Sequence, residues 1–417
     1  MRQPSMQKTL INHLQPGVFI SLSGVSWLRH PFLLNEFRIT SEKQIQALQE
    51  MGLAEISWDP VRSTAVPLSE MPEKVEEEDF GGTALAGMLD EKRGRIERVR
   101  KKREQFARQE REYEKDAAMA GDVLKSVVSR PAEAYAQAKA LVGHMVTGLI
   151  GVENEVIQLV HSKKNETGLA FHSVNVVVLS LLLGKAMKLS EEEMKTLGLG
   201  ALLHDLGKNE VPARILRASQ RTPPEEDFYR AHIGYGIKAV AGIRDLPVAP
   251  RNIIACHHEH WDGSGFPNRL AGEKIPKLAR LVAIANRYDN LCNPFDLAQA
   301  KTPAEAVSHL FKHEAKRFDP EALPLFVKTL GVYPPGSFVG LSNGAVGLVI
   351  ETNSGDILHP VLMLHDPEIP RNEAILLDLR DTDLTVTGAI NPGTLPLAVV
   401  EYLAPRGRVD YYIGSAD

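Results

Sequence analysis

The sequence is short of cysteine. Two of its 417 residues are Cys, Cys256 and Cys292, which cannot build a disulfide framework and fit a reducing compartment. It also lacks a long apolar run. The longest mainly apolar stretch, Val176 to Leu183, falls far short of the roughly 20 residues that cross a bilayer, so no membrane span is expected. The first residues, Met1 to Leu14, mix Arg, Gln, Lys, Asn and His without an apolar segment, so no secretory leader is expected either. An excess of positive charge is missing too: 48 Lys and Arg stand against 53 Asp and Glu, and nothing global favours DNA or RNA as a partner. These absences point to a cytoplasmic protein. Hydrophobic content of 43% with 24% charge suits a globular chain, and the length suggests two to three domains.

The texture changes along the chain. Residues 1–62 read as a small β-rich module: "LQPGVFISL" sets a Pro-Gly turn before an alternating strand, and "LAEISWD" is a second strand-like run. Between them Ser41 to Met51 reads as a short helix, with Ser41 as a candidate cap. Residues 63–130 read as a linker and a charged helix. The linker carries Pro67, Pro72, the acidic cluster Glu76 to Asp79 and Gly81-Gly82. The helix, from about Leu85 to Met119, has sparse apolar residues, but Ile96, Val99, Phe106 and Tyr113 keep to one stripe and the last three recur every seven, a weak coiled-coil seam. A solvated helix bridging two domains explains it, as does a homodimer contact or a signalling helix; interleaved acids argue against a nucleic-acid arm. Residues 131–332 are helical by pattern. After Pro334-Pro335-Gly336, residues 333–417 alternate and are split by Asn-Gly and Ser-Gly turns, a β-rich C-terminal module. The expected fold is multidomain and mainly α: an all-α helical domain flanked by small β-rich N- and C-terminal modules.

The chemistry-bearing residues sit in the helical domain. His172 lies in "FHSVNVVVLSLLLG", His204 and Asp205 in "ALLHDLGK", His232 in "YRAHIGYG", His257 and His258 at the start of "HHEHWDGSGFP", and Asn286 and Asp289 in "LVAIANRYDNL". Alone, each has a plain reading: a core histidine, a chance His-Asp pair, a surface loop. In order across about 120 residues they point to a two-metal phosphohydrolase site. Hydrolysis of a phosphodiester needs a nucleophile at neutral pH and neutralisation of charge on phosphorus, and a pair of divalent ions supplies both. Imidazoles with one carboxylate able to bridge suit iron, manganese or zinc better than magnesium or calcium. Lys208, four residues after His204, can neutralise a phosphate oxygen; its plain reading is a cation at a helix C-terminus. Glu259 is expected to cap or support rather than ligate. His309 and His313 have i, i+4 spacing but no evident third ligand, and His144 and His161 read as surface or core. Cys256 reads as a buried thiol.

The motifs "LLHDLGK", "AHIGYG" and "HHEHWDGSGFP" resemble the HD-GYP family, a branch of the HD phosphohydrolase superfamily, over about residues 165–330. Residues 7–60 resemble an uncharacterised domain that often precedes HD-GYP domains. The resemblance implies an α-helical domain that hydrolyses cyclic di-GMP to pGpG and GMP with two iron or manganese ions. His172, His204 and Asp205 would hold the first ion, with Asp205 bridging; His232, His257 and His258 would hold the second. Asn286 stands where the family completes the first metal shell with Asp. Asp205 and Lys208 would be catalytic, and Lys208 with the turn Gly265, Phe266 and Pro267 would meet the cyclic dinucleotide. Four departures stand out. Phe266 replaces the signature Tyr and loses its hydroxyl. Asn286 is a neutral, weaker ligand. "LCNPFDLAQAK" has no base before Lys301. Gly168 stands where three-metal members supply Glu, so two metals at most are expected. The alternatives are a degenerate sensor or module binding a regulatory protein with little turnover, and a phosphohydrolase acting on another nucleotide.

Overall fold

The computed structural model describes residues 6–25, 30–32, 34–68, 84–151, 155–160, 168–353, 356–367, 369–404 and 409–415. Most of the Pro-rich and acidic linker and His161 lie outside the described residues. The chain divides into two compact units, residues 1–105 and 106–417, and is mainly helical with β-rich parts at both ends.

In the first unit, strands β1 (Gln7–Leu10), β2 (Phe19–Ser21), β3 (Glu36–Arg38) and β4 (Glu55–Trp58) and helix α1 (Glu42–Glu50) form an antiparallel sheet of order β1-β4-β2-β3. Val18, Ile20, Ile45, Leu48, Ile56 and Trp58 make its core. Ser41 occupies the cap position of α1, but its side chain makes no capping bond. The long helix α2 (Ala84–Ser126) contains no proline to stop it. Its apolar stripe has two fates: Ile96 is exposed, whereas Tyr113 is fully buried in the core of the second unit.

That core is built on α3 (Pro131–Ile150), α4 (Leu169–Ala186) and α5 (Glu191–Leu203). Helix α4 is apolar on every side, which suits a helix buried all round. It is long and apolar enough to cross a bilayer, yet 72% of it is buried inside the fold. Helix α5 starts at a capping box, Ser190 with Glu193, and ends where His204 begins. There follow α6 (Ala213–Arg217), α7 (Pro223–Arg230), α8 (His232–Val240), α9 (Val248–Cys256), α10 (Lys277–Cys292), α11 (Pro303–His313) and α12 (Ala322–Leu330).

The stretch 131–332 is not wholly helical. Strand β5 (Glu155–Val160) lies within it, and the C-terminal strands β6 (Phe338–Leu341), β7 (Val346–Asn353), β8 (Asp356–Leu364), β9 (Leu376–Asp378), β10 (Val386–Ala389) and β11 (Asp410–Ser415), with helix α13 (Leu397–Leu403) before the last, complete the elements. The main path of the sheet is β10-β6-β7-β5-β11, with β8 on β7 and β9 on β8. Strand β5 pairs with β7 and β11, each pair about 200 residues or more apart in sequence. Such distant pairing is invisible to local periodicity, and "EVIQLV" alone is a short apolar run that suits helix or strand equally.

Candidate metal centre

Four chain segments bring the histidines to one point. Helix α4 carries His172 in its first turn, α5 ends at His204-Asp205, α8 opens at His232, and α9 ends into His257-His258. A 3-10 turn, Leu206–Glu210, follows Asp205 and carries Lys208. That turn packs against α8 so closely that a Cβ on Gly207 would lie 1.9 Å from the His232 carbonyl oxygen; only glycine fits there.

Asp205 is fully buried and its two oxygens face different partners. Oδ2 lies 3.2 Å from His172 Nε2 and 3.3 Å from His204 Nε2. Oδ1 lies 3.5 Å from His232 Nε2 and 3.4 Å from His257 Nε2. Two groups therefore share Asp205: His172, His204 and Asp205, and Asp205, His232, His257 and His258, each with its ligand atoms within 4.8 Å of one another. His204, His232 and His257 each bond through Nδ1 to the backbone carbonyl three residues back: Ala201 at 2.7 Å, Tyr229 at 2.5 Å and Ile254 at 3.0 Å. With Nδ1–H donating, Nε2 keeps its lone pair for the centre, the arrangement a metal-binding imidazole needs. His172 differs: its Nδ1 meets Asp289 Oδ2 at 2.6 Å. Asp205 Oδ1 and the Nε2 atoms of His232, His257 and His258 are buried with no hydrogen-bond partner. Four converging orphan atoms of this kind cost stability unless a cation satisfies them, so the donor set fits divalent ions.

The electrostatics agree. Burial pushes the Asp205 carboxyl up, but Lys208, His204 and hydrogen bonds from His172 and His204 outweigh it and hold the group well below the usual carboxylate range. Burial lowers His204, and lowers His257 to about 3. Burial, then the charges of His257 and His232, takes His258 well below the usual imidazole range. Burial works against a proton on His172 as well, but hydrogen bonds to Asp205 and Asp289 raise it. Lys208 is buried and pairs with Asp205 Oδ2.

The remaining sequence candidates fall around this cluster. Asn286 is buried on α10, and its Oδ1 accepts from Asn290 Nδ2 at 2.6 Å. Phe266 stacks on His258, with centroids 4.6 Å apart. Its turn is pinned by Glu259, whose carboxylate accepts from the backbone N–H groups of Asn268 and Leu270. Gly265 is needed there, since a Cβ would lie 2.3 Å from His260 N, and Pro267 follows Phe266 through a cis peptide. His309 and His313 do not join the cluster; their rings are 5.2 Å apart and His309 faces Glu314. His144 is exposed, and both cysteines are buried thiols.

Sequence reasoning missed two neighbours. Tyr229 carries the carbonyl that holds His232, and its ring lies 5.0 Å from that imidazole, with the Arg221 guanidinium 3.9 Å over its face. Asn175, one turn beyond His172, bonds to Asp289. Both lie in segments that carry a candidate ligand, "YRAHIGYG" and "FHSVNVVVLSLLLG", but neither stands out there as a ligand; a polar residue inside an apolar helix was the available signal for Asn175. A cavity of about 260 Å³ borders the cluster at His172 and Lys208, and Leu216, Asn290, Pro294 and Phe295 help to line it.

The HD domain family matches residues 154–322 and a domain of unknown function, DUF3391, matches residues 6–138. The chain is 28% identical over 364 residues, 85% of its length and 84% of the relative's, to "Cyclic di-GMP phosphodiesterase PA4108" of Pseudomonas aeruginosa. It is 32% identical over 149 residues to "Cyclic di-GMP phosphodiesterase response regulator RpfG" of Xanthomonas campestris, covering 35% of this chain and 39% of that protein. It is 30% identical over 171 residues to "3'3'-cGAMP-specific phosphodiesterase 2" of Vibrio cholerae, covering 40% and 32%. The two domain matches are consistent with each other in order along the chain, which carries an HD domain behind a DUF3391 domain.

Proposed function

We propose that the chain is a metal-dependent phosphodiesterase that hydrolyses cyclic di-GMP to pGpG and GMP. The observation that carries this reading is Asp205, whose two oxygens face two separate groups of imidazoles, while Asp205 Oδ1 and the three Nε2 atoms of the second group are buried with no partner. His172, His204 and Asp205 would hold one ion, and Asp205, His232, His257 and His258 the other, with iron or manganese favoured by the imidazole-rich donor set. When bound, the ions would neutralise charge on the phosphoryl oxygens and make water a competent nucleophile near neutral pH.

The chain's own residues do the rest. The carbonyls of Ala201, Tyr229 and Ile254 fix the tautomers that point Nε2 inward. Lys208, buried beside Asp205 at the cavity wall, places a fixed positive charge where phosphate charge develops. The cavity gives room beside the cluster for a base or ribose, and Phe295 at its rim offers a stacking face.

The test is manganese- or iron-loaded protein incubated with cyclic di-GMP, with pGpG and GMP separated by chromatography. Product is expected, and the double variant His204→Ala, Asp205→Ala should abolish it. Absence of product above the double variant, with metal present, sinks the reading in favour of a ligand-binding or protein-binding sensor. A second reading, another cyclic dinucleotide, has its own support. The cavity wall beyond the cluster carries Asn290, Asn293, Pro294 and Phe295 and no cation, so phosphate grip depends on few charges and base contacts weigh more. Product from 3'3'-cGAMP alone would establish that second reading.

A further inference from the structure

His172 differs from His204, His232 and His257, whose Nδ1 atoms bond to backbone carbonyls. A carboxylate, Asp289 Oδ2, takes that place at 2.6 Å. The other oxygen, Asp289 Oδ1, accepts from Asn175 Nδ2 at 2.8 Å and from Asn293 Nδ2 at 2.9 Å. Asn175 is fully buried on α4, three residues past His172 and so on the same face. Its amide has five polar neighbours, Asp289 among them. Oδ1 accepts from the Tyr113 hydroxyl of α2 at 3.0 Å and from the Tyr411 backbone N–H of β11 at 3.2 Å. Nδ2 also faces Asp410 Oδ1 at 3.2 Å and the Val409 carbonyl at 3.3 Å. The orientation of the amide follows from these partners. Flipped, its oxygen would face two carboxylates and a carbonyl, and its NH2 would face an N–H. Asn293 repeats the link, donating to Asp289 and the Val409 carbonyl and accepting from the Val409 N–H.

We propose that Asn175 is the positioning residue of the metal centre: by holding Asp289 it sets His172, and it makes β11 and the end of α2 structural parts of the first metal group. The C-terminal strand is then not an appended module, because its residues 409–411 close the network behind His172. Helix α2 reaches the same point through Tyr113, so a shift of that helix changes the hydrogen bonding of Asn175. A buried, fully satisfied network of this kind has few alternative arrangements, which makes it suited to hold His172 in one geometry. The proposal rests on the cluster being a metal centre for its metal readout, and a second readout keeps it independent of that reading.

The experiment uses the full chain with Asn175→Ser, Asn175→Asp and the exchange Asn175→Asp with Asp289→Asn. In metal-free protein, a one-dimensional proton spectrum should show a strongly downfield imidazole N–H from the His172–Asp289 bond, identified by its loss in His172→Gln. Asn175→Ser should move it upfield or broaden it at unchanged far-ultraviolet circular dichroism. In manganese-loaded protein, retention of the more weakly held ion against a chelator should fall at least tenfold in Asn175→Ser. It should fall further in Asn175→Asp, which sets a third carboxylate against Asp289 and Asp410. The exchange restores a donor–acceptor pair between positions 175 and 289 and should recover part of the loss. An unmoved downfield proton in folded Asn175→Ser overturns the proposal, whether or not metal binds. So does a drop in thermal midpoint with unchanged retention, or an exchange variant worse than Asn175→Asp alone. A wild-type chain that holds no metal sinks the phosphodiesterase reading, and the proton spectrum still decides the role of Asn175.

Discussion

Phe266 lies flat on His258: the ring centroids are 4.6 Å apart and the planes 16° from parallel. The Arg230 guanidinium also sits over the Phe266 ring, 4.9 Å from its centroid. The ring is thus a wall that holds an imidazole of the second group, a job that needs no hydroxyl. Phe266→Ala should remove that wall. An aromatic pair of this kind contributes about 1 kcal/mol beyond its area, so the off-rate of metal from the second group should rise roughly fivefold. Phe266→Tyr keeps the stack and should leave the off-rate within about twofold of wild type on the same scale. Stopped-flow chelation of manganese-loaded protein measures both, and equal rates in wild type and Phe266→Ala would remove the supporting role.

Lys208 offers a different test, because its charge has two uses. Without ions it is the counter-charge of buried Asp205; with ions bound it is free to act on phosphate. Removing one partner of a buried pair costs on the order of 3 kcal/mol, so Lys208→Met should lower the thermal midpoint of the chelator-treated protein by several degrees. Manganese should recover most of that loss, since it replaces the missing positive charge beside Asp205. Turnover should not recover, and kcat should stay roughly 100-fold down, as for a lost charge-stabilising donor. Recovery of kcat with manganese would show that Lys208 only balances Asp205.

The residues of the candidate metal cluster were legible in the sequence because each stands in a long motif tied to its neighbours: "LLHDLGK" fixes His204, Asp205 and Lys208 within one turn, and "HHEHWDGSGFP" fixes two candidate ligands with the loop that supports them. What holds them was not legible. The carbonyls behind His204, His232 and His257 belong to residues of no special type, since any backbone supplies them. Asn175 is one polar residue in an apolar helix, and its partners come from α2, α10 and β11, more than 60 residues away on either side. Helices were read well because their period is local. Strand β5 was missed because its pairing with β11 spans some 250 residues and leaves no mark in its own six.

The pH dependence follows from the buried imidazoles. His204, His257 and His258 have folded-state values below the unfolded value of about 6.5. Below pH 6.5 the unfolded chain takes up protons that the folded chain refuses, so stability falls as pH drops, for His257 until about pH 3. Asp205, lowered in the fold, adds to the loss at acid pH, since its contribution disappears as pH falls through its unfolded value toward its folded one. His172 runs the other way: its raised value gives stability that is full below about 6.5 and fades as pH rises through the folded value. Three lowered imidazoles outweigh one raised one. The thermal midpoint of chelator-treated protein should therefore be lower at pH 5 than at pH 7.5. His257→Asn, which cannot take up the proton, should flatten the difference. A midpoint independent of pH over this range would contradict the burial of the imidazoles as neutral groups.

Asn286 carries the last prediction. Its side chain is buried on α10, one turn before Asp289, and its Oδ1 already accepts a hydrogen bond from Asn290. Asn286→Asp keeps that acceptor and adds a negative charge in a buried place. Without a cation the new charge is a cost, because a carboxylate there has one amide donor and little water. With a cation in the first group it is a gain, because a neutral oxygen becomes a charged one. The two states should therefore move in opposite directions. The thermal midpoint of chelator-treated Asn286→Asp should fall below wild type, and the rise on adding manganese should exceed the wild-type rise. A tenfold gain in affinity adds about 1.4 kcal/mol of metal-linked stability at saturating ion, equivalent to a few degrees. The matched pair of melts, with and without manganese, separates this from a general change in stability. If the substitution shifts both melts equally, Asn286 does not face the metal, and Asp289 with the cluster itself completes the first group.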